Sequence, residues 1–236
     1  MAIQTKYRTE AVEIMDDFSL EGEELREALD KIASINQLLG GNKLTLQGIE
    51  QLLKETDTTK VITIMDVGCG NGDMLRMLAD YGKINNLKFK LIGIDANAFT
   101  IEHARSLSKE YPNISYLCED IFSDAFAELK YDILLCTLTL HHFKNNEIET
   151  ILNVFQKQAT IGIVINDLHR NALAYLLFQS VCWVFQLNRM SREDGLTSIL
   201  RGFKKNELED FSKIIKAKKQ SISWKWAFRY QWIIWK

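Results

Sequence analysis

The stretch that decides the reading is Asp66-Val67-Gly68-Cys69-Gly70-Asn71-Gly72 (DVGCGNG), which follows the apolar run VITIMD at 61–66 and precedes a helical pattern at 72–80. A run of short apolar residues ending in an acid, then alternating glycines, then a helix start, is a strand–turn–helix junction. Glycine lets the backbone turn tightly and approach a ligand closely. The helix start adds free N–H groups and the positive end of a dipole. Such a loop is built to hold the polar part of a cofactor.

Outward from the loop the chain alternates. Further apolar runs stand at 90–95 (KLIGID), 114–118 (ISYLC), 131–137 (YDILLCT) and 161–166 (IGIVIN), with helical patterns at 97–110 and 146–158. The connection at 120–130 reads as short or irregular. Solidly apolar strands alternating with helices specify a parallel sheet covered on both faces. Residues 206–218 read as a helix, and 220–235 (QSISWKWAFRYQWIIW) as an antiparallel hairpin with a tight connection near 227–229. The expected fold is therefore α/β: a mostly parallel sheet of seven strands with helices on both faces and an antiparallel hairpin at its end.

Two segments fall outside this pattern. Residues 1–54 read as helices: Leu25, Leu29, Ile32, Ile35 and Leu38 form one stripe, and Gly40-Gly41 is a stop signal. Residues 172–187 are apolar at all positions but Gln179, Ser180 and Gln186. A helix hydrophobic all round is deeply buried, seals an interface, or touches lipid. This one is short of the about 20 residues needed to span a bilayer. Three readings stand: an internal or dimer-interface helix, a lid over a greasy substrate, and weak docking on a membrane surface. The division expected is an N-terminal helical cap (1–54), a cofactor-binding core (55–166), a helical lid insertion (167–205), and a last helix with hairpin (206–236).

Composition narrows the class. The 236 residues include 12 Gly and a single Pro, which excludes collagen-like and Pro-rich chains and favours long helices. Cys69, Cys118, Cys136 and Cys182 are widely spaced, with no zinc-type cluster, so no metal is expected. The start is mixed and polar, with no secretory pattern. A reduced, cytoplasmic protein is the expectation. Net charge is −2 overall, but residues 201–236 carry 10 Lys/Arg against 3 Asp/Glu. A near-neutral chain argues against a broad nucleic-acid surface, although the basic end keeps an anionic partner open.

The dinucleotide pattern GxGxxG requires glycine where Asp73 stands, and a carboxylate there would face a pyrophosphate badly. The motif (D/E)xGxGxG is matched in full. The second strand ends in Asp95, 23 residues after Gly72, where a carboxylate can accept from both ribose hydroxyls. The third ends in Cys118-Glu119-Asp120-Ile121 and the fourth continues into TLTLHHF. These residues resemble the class I, Rossmann-like S-adenosylmethionine-dependent methyltransferases of small-molecule type. The strings MDD (15–17), INQLLGG (35–41) and NDLHR (166–170) are similar to a bacterial subgroup described only as methyltransferase domain-containing.

The resemblance implies S-adenosylmethionine as cofactor and S-adenosylhomocysteine as product. It implies cofactor contacts from Asp66, Gly68, Cys69, Gly70 and Gly72, from Asp95 and Ala96, from Asp120 at the adenine amino group with Ile121 against the ring, and from Thr137. Glu119 is an alternative to Asp120. His141 and His142 after the fourth strand, and His169 after the fifth, lie at the strand ends where an α/β crevice opens; one of them is expected as a base or orienting group. His103 is expected on the surface. The acceptor expected is a small apolar or aromatic molecule, methylated at O, C or N, by a monomer or homodimer. RNA or protein methylation, non-catalytic binding of the cofactor, and an oxidoreductase on the same sheet remain as rivals.

Overall fold

The computed structural model describes residues 3–236. Its sheet has seven strands: β1 (Ile62–Val67), β2 (Phe89–Asp95), β3 (Ile114–Cys118), β4 (Tyr131–Thr137), β5 (Ala159–Leu168), β6 (Lys219–Lys225) and β7 (Arg229–Trp235). Their spatial order is β3-β2-β1-β4-β5-β7-β6. β1 pairs in parallel with both β2 and β4, and β7 runs antiparallel to both β5 and β6. From β1 the chain winds outward to β3, then returns to β4 on the other side of β1. That reversal opens a crevice at the carboxyl ends of β1 and β4, where open α/β sheets bind ligands.

The strands are apolar because both faces are covered. On one face lie α2 (Gly41–Leu53), α3 (Asp73–Ile84) and α4 (Ala98–Leu107), with Ile49, Leu52, Leu75, Leu78 and Ile101 buried against Ile64, Leu91 and Val164. On the other lie α5 (Asp124–Ala127), α6 (Asn145–Gln158) and α9 (Lys205–Ser212), where Phe126, Phe155 and Phe211 pack with Met65, Ile163 and Trp232. Thus residues 41–53, grouped by sequence with the N-terminal cap, instead cover the central sheet. α9 is shorter than the expected 206–218: after Ser212 the chain leaves the helix, and Ile215 is buried from the irregular segment that follows rather than from a helical face.

Over the strand ends stand α1 (Glu23–Leu38), α7 (Ala172–Val184) and α8 (Arg189–Arg201). Leu25 and Ala28 of α1 pack with Met190 of α8, and Ile35 of α1 packs with Cys182 of α7. Residues 3–22 form an extended strap with a 3-10 turn at Ile14–Asp16. Asp194 of α8 accepts the N–H groups of Ile14 and Met15 at 2.6 and 2.9 Å, and buried Arg170 donates to the carbonyls of Thr5 and Lys6. The strap is therefore fixed by charged side chains reaching its backbone.

The internal-helix reading of 172–187 does not hold. In α7 only Ala174 and Cys182 are buried, while Leu173, Leu176, Leu177 and Val184 are exposed and Trp183 is 84% exposed. An all-apolar pattern cannot reveal which face of a helix meets protein, and here one face is left open. Among the described residues, no helix is long and apolar enough to cross a membrane.

Candidate active site

The crevice holds two adjoining cavities. The larger, about 870 Å³, is lined by Gly68, Gly70, Asp95, Ala96, Asp120 and Ile121, among others. The smaller, about 510 Å³, lies beneath α7 and is lined by Ile35, Leu177, Phe178, Val181, Phe185 and Ile199 with Trp226 and Phe228 of the hairpin loop. Met15, Ile32, Leu138, His141 and His142 line both, so these side chains form the wall between a polar chamber and an apolar one.

The glycines of the loop take left-handed backbone angles (φ +66°, +52° and +76° at Gly68, Gly70 and Gly72), which L side chains adopt at a cost. Their surroundings differ. A Cβ on Gly68 would lie 2.4 Å from Thr139 Oγ1, and one on Gly72 would lie 2.0 Å from Tyr116 Oη. On Gly70 the nearest atom among the described residues is Leu29 Cδ2 at 3.9 Å, so that position opens into the cavity. Gly72, expected at the cofactor, is instead a packing glycine. Cys69 is buried in the loop, with burial pushing its thiol well up, and does not line the cavity.

Asp95 accepts the N–H of Gly70 at 3.2 Å and of Asn97 at 3.1 Å. These bonds fix the carboxylate at the cavity wall, and burial pushes its pKa up. Asp66 sits behind the loop. Its Oδ1 is buried with no hydrogen-bond partner among the described residues, and burial, then Asp73 and Asp95, push it well up. Asp120 and Glu119 both line the cavity; Asp120 is exposed and caps the N–H of Phe122 at 2.9 Å. Thr137 is turned away: its hydroxyl lies 3.1 Å from that of Thr45 on α2, and it does not line the cavity. Asp73 likewise serves packing, accepting from Asn42 at 2.6 Å and Gln37 at 3.1 Å.

After β4 the chain turns through Leu138 (φ +53°) into a 3-10 turn at Leu140–His142. Leu138 N–H is held by Asn166 O at 2.9 Å, and the Thr139 hydroxyl by Val67 O at 3.2 Å. The turn aims both histidines at the wall. His141 is buried, with Nδ1 2.7 Å from Asp167 Oδ1; its Nε2 has no hydrogen-bond partner among the described residues. Burial pushes Asp167 up, but His141 and backbone N–H groups outweigh it and hold the carboxyl low. An ionised Asp167 only accepts, so Nδ1 is the nitrogen that donates to it, and Nε2 is the nitrogen turned toward the chambers. His142 Nδ1 lies 2.6 Å from Asp16 Oδ1.

His169 is not part of this group. It lines only the apolar chamber, where Trp224 Nε1–H donates to its Nδ1 at 3.1 Å. His103, expected on the surface, is mostly buried, with Nε2 2.8 Å from Asp30.

Several members of the wall escape sequence reading. Glu13, from the strap, is buried 3.7 Å from His141 Nε2 and accepts from Ser198 Oγ at 2.7 Å. Arg201 binds Asp16 Oδ2 at 2.6 Å and reaches the carbonyls of His141 and His142. Arg8 donates to the carbonyls of His141 and Phe143 at 2.7 and 2.9 Å. Arg201 and Arg229 are buried, so part of the basic end of the chain is structural.

The strand order, the acid–glycine loop and the cavity at the β1/β4 switch point define a class I, Rossmann-like methyltransferase domain. Residues 64–159 match the model of the family described as "Methyltransferase domain". The chain is 30% identical over 131 residues to a ubiquinone biosynthesis O-methyltransferase of Rickettsia canadensis, covering 55% of this chain and 52% of that protein. A protein of the same name from Coxiella burnetii is 31% identical over 102 residues, 43% of this chain and 39% of that one. The chain thus spans about half or less of the length of these curated relatives. Among solved structures, the plantazolicin methyltransferase BpumL in complex with SAH superposes with a TM-score of 0.62 at 19% identity, over 90% of this chain and 96% of that one. The magnesium protoporphyrin IX methyltransferase ChlM from Synechocystis, with bound SAM, superposes at 0.55 and 13% identity, over 94% and 89%. At these identities the structures speak for the fold.

Proposed function

We propose that the protein transfers a methyl group from S-adenosylmethionine to a hydroxyl oxygen of a small, apolar, ring-bearing acceptor. The observation that carries this reading is the pair of adjoining chambers with His141 and His142 in their common wall. The larger suits the cofactor: Gly70 leaves it room, and Asp95 offers a fixed carboxylate for hydroxyl groups. When bound, S-adenosylmethionine supplies an electrophilic methyl on a sulfonium sulfur.

The chain's own work is then alignment and proton removal. The apolar chamber excludes water and orients the acceptor toward the wall. Holding two reactants in line is worth up to about 7–11 kcal/mol of barrier. The Nε2 lone pair of His141 takes the hydroxyl proton, and Asp167 steadies the ring as it becomes charged; such base catalysis contributes roughly 100- to 10,000-fold. O-Methylation also agrees with the names of the Rickettsia and Coxiella relatives. The exposed apolar side of α7, followed by Arg189 and Arg192, suits entry of a greasy acceptor from a lipid surface. A chamber of about 510 Å³ suits a small molecule rather than an RNA or protein segment.

Calorimetry with S-adenosylmethionine and S-adenosylhomocysteine, followed by S-adenosylhomocysteine release on a panel of alkylated phenols, tests the reading. Micromolar binding with turnover on apolar phenols is expected. Absence of binding at millimolar ligand, or preference for polar acceptors, would overturn it.

A further inference from the structure

Three metal-type ligand atoms converge on the wall between the chambers. His141 Nε2 lies 3.7 Å from Glu13 Oε1, and His142 Nε2 lies 3.9 Å from Glu13 Oε2. One ligand atom from each of the three side chains lies within 4.8 Å of the other two. Glu13 and His141 are each only 2% exposed, and Glu13 Oε1 and His141 Nε2 have no hydrogen-bond partner among the described residues. Leaving a buried polar atom unmatched costs about 1–3 kcal/mol. Two of them facing each other mark a place built for something between them.

The far side of each imidazole strengthens this. His141 Nδ1 is held by Asp167 at 2.7 Å, and His142 Nδ1 by Asp16 at 2.6 Å. A metal-binding imidazole is typically fixed this way, its outer N–H given to a carboxylate and its inner nitrogen left free. Here two imidazoles are so anchored, and both free nitrogens face one carboxylate. The competing cation is Arg201, whose Nη1 is 3.5 Å from Glu13 Oε1 but pairs more closely with Asp16 at 2.6 Å.

We propose that Glu13, His141 and His142 bind a divalent first-row transition ion of the zinc class. Two nitrogens and one carboxylate oxygen are the ligand set such ions take, with bonds of about 2.0–2.2 Å. Side-chain rotations that draw the three ligand atoms together would bring them to such bonds. All three side chains line the apolar chamber, and both histidines also line the larger cavity, so the open coordination positions face the reaction space.

The role, though not the binding, rests on the methyl-transfer reading. A hydroxyl placed at an open position is acidified by the ion. Its proton leaves to water in the larger, polar cavity that both histidines also line, its oxygen forms the bond to the methyl carbon, and the sulfonium departs as a neutral thioether. In that state the ion does the work otherwise assigned to the His141 lone pair.

The test uses the full chain stripped with EDTA. Calorimetry with zinc chloride, and visible absorption with cobalt chloride, should show one ion per chain at micromolar affinity or tighter. Glu13→Gln and His142→Ala should each weaken binding at least tenfold, Asp16→Asn should weaken it less, and His103→Ala should leave it unchanged. No stoichiometric binding by the wild-type chain, or binding unaltered in both Glu13→Gln and His142→Ala, would overturn the proposal; the wild-type result does not depend on how the variants fold. S-Adenosylmethionine binding measured on the same stripped sample separates the two readings. Cofactor without ion leaves methyl transfer with a histidine base; ion without cofactor leaves the site and removes the reaction.

Discussion

His141 Nδ1 and Asp167 Oδ1 are 2.7 Å apart across the gap between the turn after β4 and the end of β5, and this pair sets which nitrogen of His141 faces the chambers. Asp167 also accepts the backbone N–H of His141 at 3.1 Å, so one carboxylate fixes both the ring and the turn that carries it.

Asp167→Asn keeps the shape but removes the charge. A side-chain amide can donate to Nδ1 and push the ring proton to Nε2, which abolishes the lone pair at the wall. Turnover on a hydroxyl acceptor in chelator-treated protein is expected to fall roughly 100-fold or more, with S-adenosylmethionine affinity within about twofold. Single-turnover rates beside calorimetry check this. A variant that turns over normally would show that alignment alone carries the chemistry.

The loop glycines should separate binding from folding. At Gly70 an added side chain points into open cavity, so Gly70→Val is expected to abolish cofactor binding, with a smaller loss of stability from its left-handed backbone. At Gly72 a Cβ would strike the Tyr116 hydroxyl, which is itself pinned 2.7 Å from Ser108 Oγ. Gly72→Ala is therefore expected to lower the melting temperature markedly. Asp95→Ala should weaken cofactor binding by about 1–3 kcal/mol, the value of hydrogen bonds to a charged group. Thermal unfolding with and without S-adenosylhomocysteine distinguishes the three.

The sheet was legible because local signals and the global fold agree. The run YDILLCT coincides with β4 at Tyr131–Thr137, and the acid–glycine loop marks the β1–α3 junction. The wall was legible only in part. His141 and His142 are placed by topology, but Glu13 and Asp16 come from a strap more than 120 residues away in sequence, and no local pattern announces such a contact. Gly72, Cys69 and Thr137 do not line the cavity for a related reason: a motif fixes the backbone path, whereas which way a residue faces depends on Tyr116, Gly93 and Thr45 from other elements. For α7 an apolar composition carried no facing information at all.

The rim of the apolar chamber gives a prediction about the acceptor. Leu177 lines the chamber and is 45% exposed, so it stands at the mouth. Leu177→Asp places a charge on that path without opening a core cavity. The Michaelis constant for apolar phenols is expected to rise at least tenfold, with cofactor affinity and melting temperature nearly unchanged. An unchanged Michaelis constant would place the entrance elsewhere.

Glu13 makes the stability of the protein depend on pH in a direction opposite to an ordinary paired carboxylate. Burial raises its pKa to about 7 from 4.5, against the lowering influence of His142, Ser198 and Arg201. The folded chain thus keeps a proton that the unfolded chain releases, so stability falls as pH rises between about 4.5 and 7 and the cost is complete above that. Each factor of ten in the acid constant is worth about 1.4 kcal/mol, which bounds the cost at about 3 kcal/mol. Asp16 behaves in the opposite sense. Burial raises it, but His142 and Arg201 outweigh burial and hold it low, so its contribution is lost only as the medium becomes strongly acidic, outside this window. Glu13→Gln preserves size and can still accept from Ser198 without ionising. In chelator, urea unfolding should show wild type and Glu13→Gln nearly equal at pH 5, with the variant gaining by up to about 3 kcal/mol at pH 8. A difference that stays flat across that range would mean that the buried carboxylate is already compensated, with Arg201 the group to test next.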